Sequence, residues 1–107
     1  MGKRRVLSES DLKDTPLPRE GQLIGVAKKL LGADRVLVVC SDGKERVCRI
    51  KGSIRRRVWI RVGDAVLVEL WGFQDDTRGD VIGKYTKAQK QWLVENGYLP
   101  EYIANIA

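Results

Sequence analysis

Histidine is absent from the 107 residues, cysteine occurs twice and proline three times. The missing imidazole removes the commonest general base and zinc ligand, so acid–base or nucleophilic catalysis and a four-ligand zinc site lose their usual participants. Seven residues separate Cys40 from Cys48, which is not the C-x-x-C spacing of a redox pair or zinc knuckle. That spacing fits two buried free thiols in a reducing, cytoplasmic setting. Glycines are scattered rather than gathered into a phosphate-binding loop, and Asp75-Asp76 before Thr77-Arg78 reads as a solvated turn rather than a divalent-ion site. No apolar run reaches the ~18 residues of a transmembrane helix, and the N-terminus lacks the apolar core of a signal peptide. The expectation is a protein that is not an enzyme, with no cofactor, no metal and no membrane.

Acidic residues are scarce in one particular stretch. Residues 44 to 61 hold Lys44, Arg46, Arg49, Lys51, Arg55, Arg56, Arg57 and Arg61 against Glu45 alone, a net +7 in a chain whose total is +6, so the remainder nets −1. A solvated basic face normally interleaves acids, and here they are missing, which points to a polyanionic partner and to nucleic acid ahead of an anionic membrane. With 43% hydrophobic and 32% charged residues, the chain has the composition of one folded domain.

Residues 1 to 19 are charged, start with Lys3-Arg4-Arg5 and close on Pro16 and Pro18, the pattern of a flexible basic tail. From Gln22 short apolar runs alternate with turn residues, as in a small barrel or sandwich. The expected strands are Gln22 to Leu30, with Ile24 and Val26 inward, Arg35 to Ser41, Glu45 to Lys51, Ala65 to Leu70 and Arg78 to Tyr85. Asp42-Gly43-Lys44 is a hairpin signal; a three-residue loop there pairs Cys40 with Arg46 and Val38 with Cys48, leaving Arg49 and Lys51 on the opposite face. Thr86 and Gln89 fit a capping box for a helix over Lys87 to Asn96, stopped by Gly97. Leu99, Tyr102, Ile103 and Ile106 fall at helical spacing behind Pro100. The chain thus divides into a tail (1–19), a barrel (20–85) and a helical extension packed on it (86–107).

Trp59 is the most informative side chain. Val58, Ile60 and Val62 alternate with Arg57, Trp59 and Arg61, so burying the aliphatic row turns the indole toward the charges. Single-stranded nucleic acids bind by just this combination of aromatic stacking and a basic groove, although an indole lying over a neighbouring strand or under an arginine is the structural alternative. Trp71, Phe73 and Trp92 are expected in the core.

Several strings then occur in a fixed order: Cys40-Ser41-Asp42-Gly43, Val47-Cys48-Arg49-Ile50-Lys51-Gly52, Arg55-Arg56-Arg57-Val58-Trp59-Ile60, Gln74-Asp75-Asp76, Asp80-Val81-Ile82 and Gly97-Tyr98-Leu99-Pro100. Over about residues 20 to 100 this order resembles the archaeal translation initiation factor 1A family. The resemblance implies an all-β fold with C-terminal helices, a five-stranded OB-fold barrel. It also implies binding to small ribosomal subunit RNA at the A-site and decoding centre, alongside other initiation factors and the initiator tRNA complex. The residues matching the family's RNA-contacting region are Arg46, Arg49, Lys51, Arg55, Arg56, Arg57 and Trp59, and Arg61 joins them from the charge pattern. A general single-stranded RNA or DNA binder of the same fold and a protein-interaction module are the competing readings, and a monomer is expected of a closed barrel.

Overall fold

A computed structural model describes residues 15–32, 34–52, 59–72 and 76–106. Five strands, β1 (Gln22–Leu30), β2 (Arg35–Cys40), β3 (Glu45–Ile50), β4 (Ala65–Leu70) and β5 (Arg78–Lys84), precede two helices, α1 (Lys87–Glu95) and α2 (Glu101–Ala104). The strands close into a barrel in the order β1-β2-β3-β5-β4. Every neighbouring pair is antiparallel except β3 and β5, which run parallel. The ends of β3 and β5 and the start of β4 therefore share one rim, and residues 59–64 cross it.

Two cores explain the burial pattern. The barrel interior is filled by Val36, Val38, Cys40, Cys48, Ile50, Ile60, Val66, Val68 and Val81. A second core lies outside the wall, where Ile24, Val26, Val39, Ala65 and Leu67 meet Leu93, Leu99 and Ile103 from the helical end. Strand β4 separates the two, which is why Ala65 through Val68 are all buried and why the run reads as continuously apolar instead of alternating. Ile24 and Val26 are buried as expected, but against this outer layer, while Ala27 faces the barrel interior. Gly25 faces inward too, because a Cβ there would lie 2.4 Å from Val38 Cγ1. Only a glycine lets β1 cross β2 this closely.

The β2–β3 hairpin turns through three residues, Ser41-Asp42-Gly43, one position earlier than the expected loop: the Cys40 amide donates to the Lys44 carbonyl at 2.9 Å and the Gly43 amide to the Cys40 carbonyl at 2.8 Å. Val38 accordingly pairs with Arg46 and Val36 with Cys48. The cause is Gly43, whose φ of 90° suits the left-handed last position of such a loop better than Lys44 would. The shift moves the pairing by two residues, so the side chains keep their faces.

Helix α1 begins with the expected capping box. Thr86 Oγ1 accepts from the Gln89 amide at 3.0 Å, and Gln89 Oε1 accepts from the Thr86 amide at 2.9 Å. It ends in a Schellman closure: the Tyr98 amide donates to the Leu93 carbonyl and the Gly97 amide to the Val94 carbonyl, with Gly97 at φ 81° and Tyr98 stacked on Trp92 at 5.8 Å. Leu99, ahead of α2, and Ile103 within it are buried, but Tyr102 is 70% exposed, on the side of the helix away from the core. Packing on the barrel begins ahead of residue 20. Thr15 is buried, and the Pro16 carbonyl accepts the Tyr85 hydroxyl at 2.5 Å; residues 1–14 of the expected tail lie outside the described residues.

Candidate nucleic-acid interface

The rim segment is held by a small set of charged contacts. Lys84 Nζ donates to the Trp59 carbonyl at 2.6 Å and pairs with Asp64 at 3.2 Å. Asp64 Oδ2 accepts the Arg61 amide at 2.7 Å, and Lys90 Nζ donates to the Gly63 carbonyl at 2.7 Å. With its backbone tied down in this way, Trp59 stands 83% exposed while Ile60 next to it is buried in the barrel. Alternation predicts this pair correctly. It fails at Val62, which is 46% exposed, because the chain is no longer extended there and turns at Val62-Gly63 with Gly63 at φ 96°.

Beside Trp59 lies an open groove of about 660 Å³, bordered by Arg61, Val62, Asp64, Lys84, Tyr85, Thr86 and Lys87. Arg61, Lys84 and Lys87 outnumber Asp64, so the groove is cationic, with an exposed aromatic face at one side. Lys84 and Lys87 escape the charge count, because they lie outside residues 44 to 61 and reach this rim from the end of β5, where Lys84 pairs with Val66 at the start of β4. The signal available in sequence is the position of Lys84 at the very end of β5.

The other expected contact residues separate into three groups. Arg49 projects from the outer face of β3, its Nε 3.4 Å from Asp80 Oδ1, and Lys51 follows at the same rim as Trp59. Arg55, Arg56 and Arg57 lie outside the described residues, as do Val58 and Phe73. Arg46 is elsewhere altogether. It is 2% exposed, its two terminal nitrogens form a fork on the Asp42 carboxylate at 3.0 and 2.9 Å, and it also reaches Asp76 through the carbonyl at 2.7 Å and Oδ1 at 2.9 Å. A guanidinium so fully occupied is not presented to a phosphate. Its hydrogen bonds lower the Asp42 pKa, and those of Lys44 and Arg46 pull Asp76 down to about 2. Asp76, expected in a solvated turn, is thus the anchor between the β2–β3 loop and the approach to β5.

Reactive chemistry finds no footing at the thiols. Burial raises the Cys40 pKa against the pull of Arg46 and pushes Cys48 up to about 12, so neither is a thiolate near neutrality. Among the described residues no cluster of three potential metal ligands occurs, and no described helix is long and apolar enough to cross a membrane. Trp71 is also not in the core: it is 47% exposed at the end of β4, beneath the Arg78 guanidinium at 5.9 Å. Trp92 is partly buried against the outer core as expected.

A closed barrel of this strand order, with an exposed indole set among cations on its rim, defines a small OB-fold protein. Residues 12–106 match the family described as translation initiation factor 1A / IF-1, and the chain belongs to that family: it is a translation initiation factor, not an enzyme. It is 50% identical to translation initiation factor 1A of Methanopyrus kandleri over 99% of this chain and 93% of that protein. The corresponding figures are 46%, 92% and 88% for Pyrococcus abyssi and 44%, 96% and 94% for Saccharolobus solfataricus. Among solved structures, the solution structure of translation initiation factor 1 from the Wolbachia endosymbiont strain TRS of Brugia malayi matches at 26% identity with a TM-score of 0.49, covering 65% of this chain and 83% of that one.

Proposed function

We propose that this initiation factor acts in the cytoplasm, where it binds the small ribosomal subunit at the A-site and decoding centre through ribosomal RNA. There it promotes binding of initiator tRNA and mRNA in concert with other initiation factors. The observation that carries the reading is Trp59, an indole 83% exposed on a backbone fixed by Lys84 and flanked by Arg61 and Lys87 in one groove. A rigid, exposed aromatic costs little ordering entropy when a base stacks on it, and the surrounding cations neutralise the phosphates on either side. The RNA-contact set is Arg49, Lys51, Arg55, Arg56, Arg57, Trp59 and Arg61, extended by Lys84 and Lys87. Arg46, occupied by Asp42 and Asp76, is left out of the set.

Trp59→Ala is expected to weaken small-subunit binding by about 1–3 kcal/mol while changing urea-unfolding stability little, because the ring buries little area in the free protein. Replacing Arg55, Arg56 and Arg57 together by Ala is expected to flatten the log–log salt dependence of binding by roughly two units, at about 0.7 per phosphate on a single strand. Chemical footprinting on purified small subunits tests the location. Protection confined to the decoding region supports the reading; equal affinity for unstructured RNA at matched salt would make the protein a general single-strand binder instead.

A further inference from the structure

The rim segment that carries Trp59 is gripped from two sides. On the sheet side Ala27 of β1 uses both its backbone groups: its carbonyl accepts the Gly63 amide at 2.8 Å and its amide donates to the Asp64 carbonyl at 2.9 Å. From the helical end, Lys90 Nζ of α1 donates to the Gly63 carbonyl at 2.7 Å. Between the two grips the turn closes on itself, the Asp64 amide donating to the Arg61 carbonyl at 3.0 Å and Asp64 Oδ2 accepting the Arg61 amide. The grips are fixed relative to one another, because Ile24 and Val26 of β1 and Leu93 of α1 pack in one cluster outside the barrel wall. Gly63, at φ 96°, is the loosest link of the segment, since glycine has the widest backbone freedom, so a tether on its carbonyl removes the most motion. Lys87 and Lys90 share a face of α1, but Lys87 is exposed and Lys90 is partly buried. Lys87 borders both the Trp59 groove and the cleft behind the turn, whereas Lys90 borders the cleft and not the groove.

We propose that Lys90 is a positioning residue for RNA binding: it touches no nucleotide and instead presets the rim, so that Trp59 and Arg61 stand in their bound places before RNA arrives. The inference rests on the reading of that rim as the RNA-binding surface. An ammonium committed to a carbonyl behind the turn is not presented to a phosphate in the groove in front of it. What it contributes is preorganisation, because a loop that must be ordered on binding loses affinity that a fixed loop retains. It also gives the helical extension a part in RNA binding, since the packing of α1 on the barrel is relayed to the rim through this one side chain. The Gly63 carbonyl is only partly buried, so water can replace the lost donor but cannot replace the tether. Removing the ammonium therefore costs position more than it costs folding.

The test compares Lys90→Met, which keeps the apolar stem and the helix propensity, with Lys90→Arg and Lys87→Met in the full chain. Small-subunit binding is measured over a series of salt concentrations, with urea unfolding fixing the folded fraction. Time-resolved fluorescence anisotropy of Trp59 in the free protein, in a Trp71→Phe, Trp92→Phe background, reads the motion of the rim. Lys90→Met is expected to lower affinity about 3- to 10-fold at an unchanged salt slope and to enlarge the fast component of the Trp59 decay. Lys90→Arg, whose guanidinium can still donate to the carbonyl, is expected to restore most of both. Lys87→Met is expected to flatten the slope by about 0.7 and to leave the decay alone. A slope flattened by about 0.7 in Lys90→Met would make Lys90 a phosphate contact and overturn the proposal, and so would an unchanged affinity or an unchanged decay. Trp59→Ala, measured alongside, separates this result from the stacking reading. If it weakens binding while Lys90→Met changes neither affinity nor decay, the positioning role is wrong and stacking stands. If Lys90→Met behaves as expected and Trp59→Ala binds normally, the rim is positioned for Arg61 and stacking falls.

Discussion

Arg46 shows how one side chain can be misassigned by its charge and correctly placed by its position. Its spacing along β3 puts it in the same row as Cys48 and Ile50, which is the buried row, yet its membership of a cationic run nominates it for RNA. The fork on Asp42 is local, four residues away, but the second partner, Asp76, is thirty residues downstream and invisible to any local rule. Because Asp42 and Asp76 regain water when the arginine is removed, Arg46→Met is expected to cost about 1–3 kcal/mol, below the 3–5 of a pair whose survivor stays buried. Urea unfolding checks this, and RNA affinity of the folded fraction should be unchanged.

The same cluster sets an acid limit. The Lys44 and Arg46 hydrogen bonds pull Asp76 down to about 2 from an ordinary 3.8, and Asp42 is also depressed. A depressed carboxylate stabilises the fold above its unfolded pKa and loses that contribution as the pH falls through the folded one. Stability should therefore decline between about pH 4 and pH 2, and Arg46→Met should decline less steeply over that window. Trp59 is the opposite case at this scale, since its outward direction follows from its immediate neighbours and needs no distant partner.

Among the elements, those with local codes were legible. Helix α1 announces its start with Thr86 and Gln89 and its stop with Gly97, and every atom of both signals lies within six residues of its partner. Thr86→Ala is expected to cost about 1 kcal/mol, and Gly97→Ala a similar amount through the positive φ, both read as shifts in the urea midpoint at constant slope. The β2–β3 loop length was legible too, while its position depended on which residue accepts a left-handed conformation. Trp71, Val62 and Tyr102 were not legible, because their exposure is decided by where β4 ends, where the rim turns and which side of α2 meets the core. The outward cations likewise become neighbours of the predicted site only through strand pairing: Arg35 comes opposite Arg49 across β2 and β3, Arg78 opposite Val47 across β3 and β5, and Lys84 opposite Val66 across β4 and β5.

For the whole molecule, closure is the dominant fact. With β1 paired to both β2 and β4, every strand has two neighbours, so no long edge is offered to another chain. A single species of monomer mass by light scattering across a hundredfold concentration range is the expected outcome; mass rising with concentration would show that another surface associates. The interior thiols give a second global check. Cys40 and Cys48 should resist alkylation at pH 8 in the folded protein and react together once denaturant opens the barrel, because both sit in the same core.

That closure also dictates a tempo. Joining β1 to β4 brings Gln22 against Glu69, and joining β3 to β5 brings Val47 against Arg78, so much of the sheet is stitched from segments remote in the chain. Loop-closure entropy must be overcome before such pairs reward it, which places barrels of this kind in the millisecond-to-second range of refolding, whereas a helix of nine residues such as α1 relaxes within about a microsecond. Trp92 rides on α1 and stacks on Tyr98, but its burial against Leu93, Leu99 and the barrel wall waits for the sheet. Stopped-flow fluorescence of a chain whose other two tryptophans are replaced by Phe should therefore report the slow seam rather than the fast helix. Thr86→Ala, which weakens only the local start of α1, should accelerate unfolding more than it slows refolding.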